Sequence, residues 1–119
     1  MSKAKIQILP RLRAMVGRNI ALGPGKVELL ELLQKTGSIT KAAREMNMSY
    51  MRAWTLIRTM NRCFKEPIVV SSHGGAHGGG GAELTDAGRK VLALYKKMDD
   101  KCLRAISPMR KQLEKHLGR

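Results

Sequence analysis

The chain is poor in aromatics, with one Trp, two Tyr and one Phe among 119 residues. A core must therefore be built from Leu, Ile, Val, Ala and the eight Met, a composition still sufficient for folding at 43% hydrophobic residues. Two cysteines, Cys63 and Cys102, lie far apart in helical patterns. That spacing suits neither a disulfide framework nor a zinc motif, and reduced thiols of a cytoplasmic protein are expected. No stretch approaches the roughly 20 apolar residues of a membrane helix. Lys3 and Lys5 are followed by no apolar run, so no signal peptide is predicted. Acids are scarce, at 9 Asp and Glu against 23 Lys and Arg, a net charge of +14. Like charges repel in a compact chain, so such an excess points to an acidic partner. Nucleic acid, where phosphate contacts release counterions, comes first, and an anionic membrane surface second.

The length fits one domain. Residues 1–22 read as an N-terminal strand or hairpin arm. Leu12, Ala14 and Val16 alternate with Arg11, Arg13 and Met15, and Gly17-Arg18-Asn19 reads as a turn. Gly23-Pro24-Gly25 punctuates the chain before a helix from Lys26 to Lys35, with Glu28 and Glu31 placed near its positive end. Gly37 supplies a left-handed cap and Ser38 the next N-cap. Ile39, Ala42, Ala43 and Met46 line one face of a short second helix, and Asn47-Met48 makes a tight turn before the N-cap Ser49.

From Tyr50 to Phe64 the predicted helix has two faces. Tyr50, Ala53, Trp54, Ile57, Met60 and Phe64 share the apolar one; Arg52, Thr55, Arg58, Thr59 and Arg62 share the other, with Met51 beside them and no acid among them. Pro67 ends this region. A β-branched run, Ile68-Val69-Val70, then leads into a segment holding half of the 12 glycines, and Ala82-Glu83-Leu84 returns as a strand. Thr85 caps a long helix, Asp86 to Ser107. Ala87, Val91, Leu94, Tyr95, Met98 and Cys102 track its core face, and Leu92 and Leu103 lie off that stripe. Pro108 breaks the pattern, leaving 108–119 as a basic tail.

This order predicts a mainly α fold with a small β-wing: a winged helix-turn-helix over 23–107 with a long C-terminal helix. In that motif the second helix of the pair enters the major groove by its N-terminal end. Ser49, Tyr50, Met51, Arg52, Ala53 and Thr55 are the candidates for base edges, Arg52 for guanine O6 and N7, and Thr55 and Met51 for a thymine methyl. Arg58 and Arg62 suit phosphates, and Thr40 and Lys41, on the first helix of the pair, complete the candidate surface. The wing, with His73, His77, Gly78, Gly79, Gly80 and Gly81, would approach the backbone closely. The plain alternatives are a solvated basic helix face and a loop without contacts. His73 and His77 lack further ligands in metal spacing, and the glycines lack the Gly-Lys-Ser/Thr ending of a P-loop. No catalytic arrangement, cofactor or small-molecule ligand is suggested. The expected partner is double-stranded DNA, without a membrane role, and the extra apolar residues of the long helix suggest a homodimer.

Several stretches together resemble the N-terminal DNA-binding domain of ModE-type molybdate-responsive regulators, related to the LysR-type winged helix. They are Ala21-Leu22-Gly23-Pro24-Gly25-Lys26, Thr36 through Arg44, Met48 through Trp54, Met60-Asn61, and Gly78 through Thr85 running into Asp86-Ala87-Gly88-Arg89. The likeness covers about Leu12 to Ile106. It implies a dimeric cytoplasmic transcription regulator of molybdate uptake or molybdenum enzymes, with Ser49, Tyr50, Arg52 and Ala53 as recognition contacts and Gly78–Gly81 as the wing. The C-terminal molybdate-binding domains of that family have no counterpart here, so a form without its own molybdate sensor is expected. A general nucleoid or RNA-binding protein and a protein-interaction module are the competing readings.

Overall fold

Pro24 has a fixed φ that suits the first helical turn, and the first helix begins there, two residues earlier than the expected Lys26. The computed structural model describes residues 4–72 and 81–118. Ahead of that helix, β1 (Ala14–Val16) and β2 (Asn19–Leu22) form an antiparallel hairpin, turning at Gly17 with φ +60°. Helix α1 (Pro24–Thr36) ends at Gly37, whose φ of +66° lets its N–H reach the Leu33 carbonyl at 2.8 Å. The early start leaves no acid in the first turn of α1. Glu31 pairs instead with Lys96 at 2.7 Å, a correction to its expected dipole role.

Ser38 caps α2 (Ile39–Glu45) by accepting from the Lys41 N–H at 3.1 Å. Asn47, at φ +54°, turns the chain, and the Met48 N–H closes back on the Ala43 carbonyl at 3.0 Å. Ser49 caps α3 (Tyr50–Cys63) by accepting from the Arg52 N–H at 3.0 Å. Buried Ala42, Ala43 and Ala53 let α1, α2 and α3 approach closely around Leu29, Leu30, Leu33 and Met60. The core is mainly aliphatic, as the shortage of aromatics requires, with Tyr95 as its one buried aromatic among the described residues.

After α3, β3 (Val69–Ser71) pairs antiparallel with β4 (Ala82–Leu84) in the register Val69↔Leu84, Val70↔Glu83, Ser71↔Ala82. A further bridge, Ser38↔Gly81, and a 3.2 Å bond from the Ala82 N–H to the Gly37 carbonyl tie this pair to the α1–α2 turn. The architecture is therefore three helices followed by a wing. Gly81 is where that bridge forms, and a Cβ there would lie 2.3 Å from the Ser72 Oγ. His73, His77, Gly78, Gly79 and Gly80 lie outside the described residues.

Helix α4 (Asp86–Ala105) is capped by Thr85, whose hydroxyl accepts from the Gly88 N–H at 3.0 Å and donates to the Pro67 carbonyl at 2.7 Å. Its buried residues are Gly88, Leu92 and Tyr95; of the expected stripe Tyr95 is buried and Ala87, Val91 and Cys102 are half-buried, while Leu94 and Met98 are not, so the face is rotated toward Leu92. Gly88 explains the rotation. With no Cβ it lies directly against the Ile68 backbone, which turns Leu92 and Tyr95, one and two turns on, into the core. Leu94 and Met98 are left exposed. Pro108 does not end the helical region either. The chain bends at Ile106, and Pro108 sits in the first turn of α5 (Ser107–Glu114), where its missing N–H costs nothing. Among the described residues no helix is long and apolar enough to cross a membrane.

A long-range bond ties the arm to α4, from the Tyr95 hydroxyl to the Leu12 carbonyl at 3.0 Å. Burial raises the Tyr95 pKa, aided by Asp99 and opposed by Arg11. The unfolded phenol ionises first, near pH 10. The stabilisation is thus complete below that pH and is lost as pH rises through the higher folded value. Tyr95→Phe is expected to cost about 0.5–1.5 kcal/mol, to speed amide exchange in the arm, and to remove this alkaline component from a pH series of thermal melts.

Candidate nucleic-acid interface

The exposed side of α3 follows from which of its residues the core takes. Ala53, Ile57 and Met60 are buried, so Met51, Arg52, Thr55, Arg58 and Arg62 face outward. Ala53, expected among the base contacts, is fully buried against α1 and α2 and presents nothing to a ligand. Tyr50 and Trp54, both expected on the apolar face and Tyr50 also among the base contacts, are 39% and 37% exposed.

Two clefts flank this helix. One, of about 400 Å³, lies toward the hairpin and the start of α1 and is lined by Arg13, Lys26 and Arg52 with Met46, Met48 and Leu56. The other, of about 360 Å³, lies between α3 and the wing and includes Trp54, Arg58, Arg62, Val70 and Ser71. The three arginines thus divide, Arg52 to the hairpin side and Arg58 and Arg62 to the wing side. Sequence reasoning missed Arg13 and Lys26 as neighbours of Arg52, because their approach depends on how the hairpin folds over α1. The Lys26 ammonium donates to the Ile20 carbonyl. Burial lowers its pKa, with an opposing contribution from Cys63.

The hydroxyls are partly committed. Thr55 Oγ1 donates to the Met51 carbonyl at 2.8 Å, and Thr59 Oγ1 to the Thr55 carbonyl at 2.9 Å. Thr55 therefore offers a methyl and an acceptor rather than a ready donor. Thr40 and Lys41 are exposed in the first turn of α2.

Charge is distributed in the same sense. Among the described residues the ion pairs are Arg89–Asp86, Lys96–Glu31, Arg104–Asp100 and Arg110–Glu114, all on α1, α4 and α5. Arg52, Arg58 and Arg62 are in none of them. The acids of these pairs, Glu31, Asp86, Asp100 and Glu114, lie outside α3, and α3 itself carries no acid. Among the described residues no group of three or more His, Cys, Asp or Glu is placed to hold a metal.

The sequence reading also passed over Asn61 except as a motif letter. Its amide nitrogen donates to the Val69 carbonyl at 2.9 Å, and its oxygen accepts from the Ile68 and Val69 N–H groups at 2.8 and 3.2 Å. One side chain thus fixes the wing to the last turns of α3. A polar residue on the flank of an amphipathic helix, just before a β-branched run, was the available signal.

A capped helix pair, a basic outward second helix and a two-stranded wing define a winged helix-turn-helix protein. Residues 25–89 match the family model for bacterial regulatory helix-turn-helix proteins of the lysR family. The chain belongs to that family. It is similar to the molybdenum transport protein ModE of Azotobacter vinelandii, at 38% identity over 98 residues, 82% of this chain and 36% of that protein. The molybdenum-pterin-binding protein MopB of Rhodobacter capsulatus is 39% identical over 77% of this chain and 34% of its own length. The transcriptional regulator ModE of Yersinia pestis is 42% identical over 60% of this chain and 27% of its own. The chain spans about a third of the length of these relatives.

Proposed function

We propose that this chain is a sequence-specific DNA-binding transcription regulator of ModE type, acting in the cytoplasm as a homodimer on genes of molybdenum metabolism. The observation that carries the reading is the outward face of α3, basic and in no ion pair among the described residues, beside a wing on a lysR-type frame. Arg52, Thr55 and Met51 serve base edges in the major groove, and Arg58 and Arg62 serve phosphates. Exposed Leu94 and Met98 on α4 support pairing of two copies. The molybdenum link is supported by the names of the relatives, and the reading assigns DNA binding, not molybdate sensing, to these residues.

Genome-wide mapping of bound sites, followed by titration of the recovered duplex, tests this. Binding is expected to be sub-micromolar at the recovered site and to weaken steeply between low and physiological salt, by about 10³-fold or more if six or more phosphates are contacted. Equal affinity for any duplex or RNA would replace this reading with a charge-driven nucleoid or RNA-binding role. Weak binding to every nucleic acid would point to a protein partner.

A further inference from the structure

The wing-side cleft holds the chain's single tryptophan, and the Arg58 guanidinium stacks over its ring at 5.1 Å from the centroid. Residues 54 and 58 are one turn apart, which brings such side chains together on a helix surface. We infer that Trp54 is a positioning residue for a backbone phosphate, holding Arg58 flat across the cleft so that its N–H edge meets a phosphodiester of double-stranded DNA.

The inference deepens the DNA-binding reading and rests on it. An arginine free in solvent samples many rotamers and must lose that freedom on binding. A ring face attracts the guanidinium through its quadrupole and occupies only the flat face of the cation. The in-plane N–H groups stay available, and these are the groups that match a phosphate. No carboxylate competes, because Arg58 is in no ion pair among the described residues. Trp54 is itself held in place, since it lines a cleft walled by Ile39, Ile57 and Val70. Arg62 shares the same cleft, so a backbone seated there meets two cations. The partial exposure of Trp54 is then part of the interface rather than a defect of the core.

A labelled mixed-sequence duplex is a sufficient probe, because a phosphate contact is independent of sequence. The full chain is titrated with it over a salt series. Trp54→Leu is expected to weaken binding about two- to five-fold at low salt, the range for an exposed cation–π pair. It should also lower the slope of log affinity against log salt by about one per bound chain. Trp54→Phe should restore most of both. Arg58→Gln should lower the slope as Trp54→Leu does, and adding Trp54→Leu to it should change the slope no further.

A purely structural tryptophan would behave differently, with Trp54→Leu weakening binding equally whether or not Arg58 is present. That result, or an unchanged salt slope, overturns the inference while leaving DNA binding standing. Wild-type protein that fails to bind the duplex overturns both. If Trp54→Leu does not fold, the emission of Trp54 in wild type and in Arg58→Gln decides: a shift is expected on loss of the stacked cation, and identical spectra refute the pairing.

Discussion

Arg52→Ala is expected to flatten the protein's preference at one base pair of its site while leaving the fold intact. The helix start does not depend on this side chain. Ser49 caps α3 through the Arg52 backbone N–H at 3.0 Å, a bond that alanine retains. Arg52 is exposed, so its truncation should change stability by no more than about 0.5 kcal/mol. In the groove, an arginine bidentate to guanine is worth about 1–3 kcal/mol of discrimination, roughly 5- to 150-fold. Selection from randomised duplexes should show one position losing its information and its neighbours keeping theirs. Arg52→Lys should lose most of it too, because a single ammonium does not reproduce the two parallel donors. The cleft shared with Arg13 and Lys26 defines the opposing result. If Arg52 serves a phosphate there, every duplex weakens alike and the salt slope falls by about one, with preference unchanged.

Gly88→Ala is expected to destabilise the protein, against the usual rule for helices. In a helix interior that exchange normally gains about 1 kcal/mol. Here an alanine Cβ would lie 2.1 Å from the Ile68 carbonyl oxygen and 3.0 Å from its carbon. Both are backbone atoms, so no rotamer change relieves the contact. The same oxygen accepts from the Thr85 N–H at 3.0 Å, which pins it further. Helix α4 would have to move off the Ile68 backbone that leads into β3, lifting Leu92 and Tyr95 with it. Overpacking costs about 1–3 kcal/mol, and each kcal/mol shifts the melting temperature of a domain near this size by roughly 4–8 °C. A thermal melt followed by circular dichroism measures it, and an unchanged or higher melting temperature would contradict the packing described for α4.

What could be read from the chain beforehand divides by range. Caps and turns depend on residues within a few positions, and Ser38, Ser49, Thr85, Gly37 and Asn47 occupy the roles their chemistry suggested. The hairpin, the wing strands and the order of helices follow from the same local signals. The rotation of α4 does not. Periodicity offered one stripe with Leu92 and Leu103 off it, and the close approach at Gly88 turns the helix so that Leu92 joins Tyr95 in the core. Ala53 failed for a related reason. Its neighbours in sequence are exposed, but its small size is what the core uses. Arg13 and Lys26 join Arg52 through the path of the hairpin, which no spacing along the chain encodes.

The bonds that join the wing to the α1–α2 turn run between backbone atoms, from the Ala82 N–H to the Gly37 carbonyl and across the Ser38–Gly81 bridge. Such bonds are indifferent to the side chains carried nearby. The wing's seat therefore rests on these backbone atoms and on the Asn61 amide of α3, and the outward Met51, Arg52, Thr55, Arg58 and Arg62 take no part in those bonds. On the DNA-binding reading proposed above, the fold separates the bonds that seat the wing from the exposed side chains of α3 that would meet a duplex. On that reading, a redesign of base preference would begin with the outward positions of α3 and leave Asn61 in place.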